Sequence, residues 1–280
     1  MDEEQGGPES NEENEGDGRQ VTLEILLQRL YRDPRYMLIG KNERFGRTII
    51  SFIESCTVLS ATGDLRGQLL LNREFERQGR PDGERPYDKE SLLDYYLDRR
   101  EELHSFSDDE FVALRDESWL YYVRRNFMML LEDYPLARDD AEHNLGLWHL
   151  IDRSDASEAA KWSYLKWWPW MERDRALAQA LTDLEGGQPE QAAADLYRAQ
   201  RAILQFGERY LEQYAQEEGD GQQLCTHMAG HVSAIADVLR RDRHLPLSLD
   251  EQLDQAEARG DAEEVERVRN EMIRRTMEGE

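Results

Sequence analysis

Apolar residues recur along most of this chain at the three-and-four spacing of a helix. Leu23, Leu26, Leu27 and Leu30 form one such stripe, and Phe127, Leu130 and Leu131 form another, while alternating runs of polar and β-branched residues are scarce. The pattern predicts an all-α fold. Capping-box spacings mark helix starts at Ser107 with Glu110, at Asp155 with Glu158, and at Ser248 with Glu251. Pro135 and Pro189 fall just inside helix starts, where a missing N–H costs nothing, so each marks a turn between two helices.

Two of those turns are alike. Tyr121 to Ile151 and Arg175 to Leu204 each place a leucine-rich helix, a short polar turn and a helix that opens with alanine. Ala137 and Ala141 in one segment, and Ala192 and Ala199 in the other, let paired helices approach closely. The segments resemble helical hairpins of tetratricopeptide type, although the full repeat consensus with its tryptophan, glycine and tyrosine positions is not met. The expected architecture is a tetratricopeptide-like helical hairpin array, with an irregular helical bundle as the alternative. Three breaks interrupt it. Residues 1–20 are rich in carboxylates and glycine, nearly devoid of apolar side chains, and read as a disordered acidic tail. Residues 77–88, "RQGRPDGERPYD", read as a loop or linker, and "EEGDGQQ" at 217–223 ends another helix. The implied division is an N-terminal helical region over 21–76, a helical hairpin domain over 89–245, and a separate C-terminal hairpin over 246–280.

Charge and cysteine usage narrow the function classes. Sixty acidic side chains against 35 basic ones leave a formal net charge of -25 in 280 residues, which repels a phosphate backbone and argues against direct nucleic-acid binding. Cys56 and Cys225 stand alone, without the framework of a secreted disulfide scaffold. No basic leader opens the chain and no apolar run reaches the roughly 20 residues of a membrane span, so a cytoplasmic protein is expected.

Chemical motifs are few. "GKNERFGRT" at 40–48 mimics a phosphate loop but has one residue too many between its glycines and Arg47 in place of the lysine. "CTHMAGH" brings Cys225, His227 and His231 together at helical spacing, the one pattern compatible with a metal-dependent hydrolase, with Met228 where a metalloprotease helix needs glutamate. Half-buried structural histidines are the alternative, and no cofactor or metal site is assigned. Asp139, Asp140 and Glu142 carry no general-acid signal in so acidic a chain. The aromatic stretch "KWSYLKWWPWMERDRA" at 161–176 is the densest feature. Its rings either form a junction core between hairpins, with Lys161 and Lys166 covering their edges, or line a groove for a partner's side chain.

The C-terminal segment carries the only specific signal. Leu249, Leu253 and Ala256 lie on one helical face, and Val265, Val268 and Met272 lie on a second. Gly260 suits the left-handed position that ends the first helix, and Asp261, with Glu264 three residues on, suits the start of the second. This two-helix pattern resembles the UVR domain, the short hairpin through which bacterial excision-repair subunits contact one another. Arg269 and Glu271 match the family's Leu-Arg-Asp-Glu-Ile segment, with Val268, Asn270 and Met272 in place of leucine, aspartate and isoleucine. Ala262 departs from the family's usual aromatic, and Glu266 from a frequent alanine. The arrangement is also similar to uncharacterised bacterial proteins that carry a UVR motif behind a helical domain. The resemblance implies a non-enzymatic protein-protein interaction or adaptor role, with Leu249, Leu253, Ala256, Val265, Val268, Arg269, Glu271 and Met272 as the partner-binding set. The implied partners are an excision-repair subunit, another UVR-bearing protein or a second copy of the chain.

Because residues 1–20 offer no apolar seam, their deletion should leave the thermal midpoint within a few degrees of the intact chain. A larger drop in a calorimetric comparison would mean that the tail is docked.

Overall fold

The computed structural model describes residues 22–23, 30–31, 36–44, 47–59, 65–99, 105–214 and 221–278. The expected acidic tail at 1–20 lies outside them, as do Leu26 and Leu27 of the first stripe. Leu23, Leu30 and Tyr31 are helical, but the rest of the described N-terminal region departs from the helical expectation for 21–76. Strands β1 (Tyr36–Arg44), β2 (Arg47–Leu59) and β3 (Leu65–Glu76) form an antiparallel sheet in the order β1-β2-β3. Local composition permits it. The β2 segment "RTIISFIESCTVL" is rich in isoleucine, threonine, valine and phenylalanine, which suit a pleated surface, and its adjacent apolar pairs disguise the two-residue period. Residues 40–44 and 47–48 of the phosphate-loop mimic thereby fall on paired strands, with Glu43 opposite Thr48 and Arg44 opposite Arg47. Ile50 pairs with Phe75 across β2 and β3, and both side chains are buried in the same core as the helices.

From residue 92 onward the described chain is helical, and the protein as a whole is mostly helical, as the periodicity predicts. The helices are α1 (Leu92–Arg99), α2 (Asp108–Leu130), α3 (Tyr134–Asp152), α4 (Glu158–Leu165), α5 (Trp168–Glu185), α6 (Pro189–Tyr214), α7 (Gly221–Arg243), α8 (Leu249–Arg259) and α9 (Ala262–Glu278). Neighbours in sequence pack as α2 on α3, α5 on α6 and α6 on α7, while α3 also packs on α5 across the short α4. Ala137, Ala141, Ala192 and Ala199 are all buried, where their small side chains permit close approach of the helices. Ser107 and Ser248 close the capping boxes expected of them. The box expected at Asp155 is displaced: Ser157 caps α4 and accepts the Ala160 N–H, so that helix opens two residues later than the spacing suggested.

The stretch 77–88 is a pinned loop. Arg77 makes two hydrogen bonds to Asp133, at 2.7 and 3.0 Å, and its N–H donates to the Thr48 carbonyl at 2.9 Å. Beneath the loop, Arg124 of α2 holds Asp140 of α3 through Nε and Nη2 at 2.9 and 2.6 Å. Its Nη1 donates to the carbonyls of Glu76 and Gly79 at 2.9 and 2.7 Å. One buried guanidinium therefore joins the end of β3, the loop and two helices. Nearby, Glu117 accepts the Leu92 and Leu93 amides that open α1, at 2.9 and 3.2 Å, and lies 3.1 Å from His143 Nε2. Burial pushes the Glu117 carboxyl up, but hydrogen bonds from His143 and those two amides outweigh it and hold the carboxyl below its ordinary value.

Asp140→Ala should destabilise the protein by about 3 to 5 kcal/mol, because it leaves the Arg124 charge buried and unpaired. The double change Arg124→Met with Asp140→Leu should recover part of that loss, since no orphaned charge remains. Midpoints of urea denaturation for the two variants provide the comparison.

Candidate functional site

The C-terminal hairpin forms as its turn residues dictate. Gly260 takes the left-handed conformation with φ 67°, its N–H donates to Glu257, and the Asp261 N–H reaches back to Ala256. The Asp261 carboxylate then accepts the Glu264 amide at 3.1 Å and opens α9. Of the side chains expected to meet a partner, Ala256 and Val268 are fully buried and hold the two helices together. Leu249, Leu253 and Met272 are half-buried, and Glu271 is occupied by Arg274 and Arg275, whose hydrogen bonds lower its pKa to about 2. Val265 and Arg269 line an open groove of about 710 Å³ together with Ala262, Asn270 and Ile273. Farther along α9, Ile273 is 58% exposed and Met277 83% exposed. An exposed pair joins Arg269 to Glu257 at 2.7 Å across the hairpin.

The two helices of the hairpin are held differently. Helix α8 packs on α6 and is tied to the body by charge. Arg198 reaches Asp250 at 3.6 Å, Arg201 reaches Asp254 at 3.2 Å, and the Tyr197 hydroxyl donates to Asp254 at 2.5 Å. Arg240 of α7 pairs with the buried Glu251 of the capping box. Helix α9 packs against α8 through Val268 and leaves Ile273 and Met277 exposed.

A second site was not foreseen as such. The aromatic stretch divides between core and surface: Trp162 and Tyr164 are buried, Trp168 stacks on Phe206 at 4.9 Å, and Trp167 is 44% exposed with Lys166 over its ring. Trp167 and Trp170, with Trp119 and Tyr122 of α2, wall a cavity of about 640 Å³ between α2, α3, α4 and α5. Arg125, Asn144 and Ser118 contribute polar groups to its lining. Arg125 is 1% exposed, and its Nη2 lies 2.6 Å from Asp174 Oδ2, whereas its Nε and Nη1 have no hydrogen-bond partner among the described residues. Asn144 is likewise 1% exposed, and its Oδ1 has no partner among the described residues. Asp174 is shared, since its Oδ1 also accepts Arg173 Nε and Nη2 at 2.8 and 2.5 Å and the Tyr31 hydroxyl at 3.0 Å. Burial, reinforced by the Asp174 charge, pushes the Tyr31 hydroxyl well above its ordinary pKa, so it stays a donor. A signal for this site was present in α2. Arg115, Ser118, Trp119, Tyr122 and Arg125 fall at helical spacing and mix polar with aromatic residues, where a purely structural face would be aliphatic.

Of the cysteine-histidine pattern, the two histidines meet, with ring centroids 4.2 Å apart. Cys225 is buried, and burial pushes its thiol up to about 11; His227 is exposed, and His231 lies with Nδ1 3.4 Å from Arg173 Nη1. Among the described residues, no group of three or more His, Cys, Asp or Glu side chains is placed to hold a metal ion. No described helix is long and apolar enough to cross a membrane.

Burial, with the Arg173 and His227 charges, lowers the His231 pKa to about 4 from 6.5. A base depressed in the folded state is neutral there but protonates on unfolding, so its contribution to stability is present above about pH 6.5 and fades as the pH falls toward 4. His231→Gln should therefore flatten the fall in thermal midpoint between those pH values relative to the unaltered chain, a difference that scanning calorimetry reads directly. Set against known proteins, the chain matches no family model, no curated protein and no solved structure.

Proposed function

We propose that this chain is a non-enzymatic interaction or adaptor protein, in which tetratricopeptide-like helical hairpins serve as the scaffold and the terminal α8–α9 hairpin serves as a UVR-like docking element. The observation that carries the reading is the asymmetry of that hairpin. Helix α8 is fixed to α6 and α7 by Arg198, Arg201 and Arg240, while α9 turns Val265, Ile273 and Met277 toward an open groove or solvent. A helix that served only to close the array would direct its apolar residues at the body and its charges outward. The resemblance at Val268, Arg269, Glu271 and Met272 makes the partner a bacterial excision-repair subunit or another protein bearing the same hairpin, and a second copy of this chain is the self-associating form of that contact. A cytoplasmic setting goes with those partners.

Ile273→Asp should abolish capture of purified excision-repair subunits by the full chain and change folding stability by less than about 0.5 kcal/mol, because the side chain is exposed. Truncation after Leu245 should give the same loss of capture with retained cooperative melting. Truncation that unfolds the whole molecule would make the hairpin a structural cap, and retention of every contact by both variants would remove the docking role.

A further inference from the structure

The aromatic cavity presents an arrangement that folding alone does not explain. A buried guanidinium or amide left without hydrogen bonds lowers stability, so each such group in a native protein calls for an explanation, and a bound molecule that completes it is one. Here three occur on one cavity among the described residues: Arg125 and Asn144, each 1% exposed, and the hydroxyl of Tyr164, 3% exposed, which can either donate or accept. Arg125 offers two N–H-bearing nitrogens without acceptors, and Asn144 offers a carbonyl oxygen without a donor. The walls are flat and apolar: Trp119 and Tyr122 stack at 5.1 Å, and Trp167 and Trp170 stand 5.7 Å apart. Trp119 is 43% exposed and Trp167 44%, so the rim is open to entering molecules.

We propose that this cavity binds a small planar ring molecule whose edge carries a carbonyl beside an N–H, as in a lactam or imide. The carbonyl accepts from Arg125, the N–H donates to Asn144 Oδ1, and the ring inserts among the tryptophans. A volume of about 640 Å³ suits a one- or two-ring compound. A bare carboxylate satisfies Arg125 but supplies no hydrogen for Asn144. An organic cation is opposed by Arg125, whose carboxylate partner Asp174 is shared with Arg173, while Arg115 and Asp116 of the same lining offset one another at 3.8 Å. A nucleoside triphosphate is opposed at long range by the formal net charge of -25. The ligand class is therefore an uncharged heterocycle. The site lies apart from the C-terminal hairpin, so its failure and that of the adaptor reading are separately visible.

The test is calorimetric titration of the full chain with guanosine and with lumazine, alongside their ring-N-methylated counterparts that block the N–H next to the carbonyl, and with 2-naphthoate as an anionic ring. The expected result is binding of at least one unmethylated ring, weakened about tenfold or more by methylation. Trp167→Ala, at an exposed rim position, should weaken the same binding by about tenfold or more while leaving the fold intact. Asn144→Leu should abolish methyl discrimination and melt at or above the temperature of the unaltered chain, because it removes an unpaired buried oxygen. Binding of naphthoate in preference to both heterocycles, equal binding of methylated and unmethylated rings, or no binding by any ring at millimolar concentration would each overturn the proposal. Loss of folding in Asn144→Leu would also count against it, because a structural role for that amide would then account for its burial.

Discussion

Two consecutive arginines on one helix, Arg124 and Arg125, organise this molecule. Both guanidiniums are withdrawn from water, which costs several kcal/mol per ion unless an opposite charge is fixed beside it. Arg124 finds Asp140 on α3, and Arg125 finds Asp174 on α5, so successive residues of α2 are matched to carboxylates on two different helices. Neither pair tolerates sliding, because a shift along the helix axis would separate buried charges. Hydrophobic contacts among Leu114, Phe127, Leu147, Ile151 and Leu177 supply the driving force for packing but accept many small displacements. The ion pairs select one alignment.

That alignment has consequences on both sides of α2. On the Arg124 side, carbonyls at the end of β3 and in the following loop complete the guanidinium, so the sheet is attached at a charged anchor as well as through Ile50 and Phe75. On the Arg125 side, Asp174 is divided between two arginines and a tyrosine, which leaves part of the Arg125 fork unused at the wall of an aromatic cavity. The same design of adjacent arginines thus yields a saturated structural joint and an unsaturated polar wall.

The helical class, the capping residues at Ser107 and Ser248, the proline-marked turns and the Gly260-Asp261 hairpin were all legible, because each depends on chemistry within a few residues of itself. The sheet was not, since pairing of β2 with β3 is settled by long-range burial of Ile50 and Phe75, and a run such as "TIISFI" has no clean period of its own. The cavity was half legible. Its tryptophans stand out in the sequence, but the decisive groups are Arg125 and Asn144, and only the folded arrangement reveals which of the many charged and amide side chains have gone unpaired. Asp140, set aside as one carboxylate among many, proved to be the partner of a buried arginine. In the hairpin, burial divides the expected binding set, with Ala256 and Val268 as its internal seam and Val265 and Arg269 on the open groove.

The attachment of α8 has a further consequence through its chemistry. The links from Arg198 and Arg201 to Asp250 and Asp254 join side chains that still see solvent, on a chain whose net charge is strongly negative. At physiological ionic strength charges are screened over about 8 Å, and at 1 M salt over about 3 Å, whereas the burial of Arg124 and Arg125 shields their pairs from the same ions. Ionic strength therefore acts on the Arg198 and Arg201 links to α8 and leaves the interior joints of α2 largely untouched. The hairpin is thus held by two kinds of fastening, an outer pair of links that salt loosens and the Arg240–Glu251 link, with Glu251 buried, that it loosens far less.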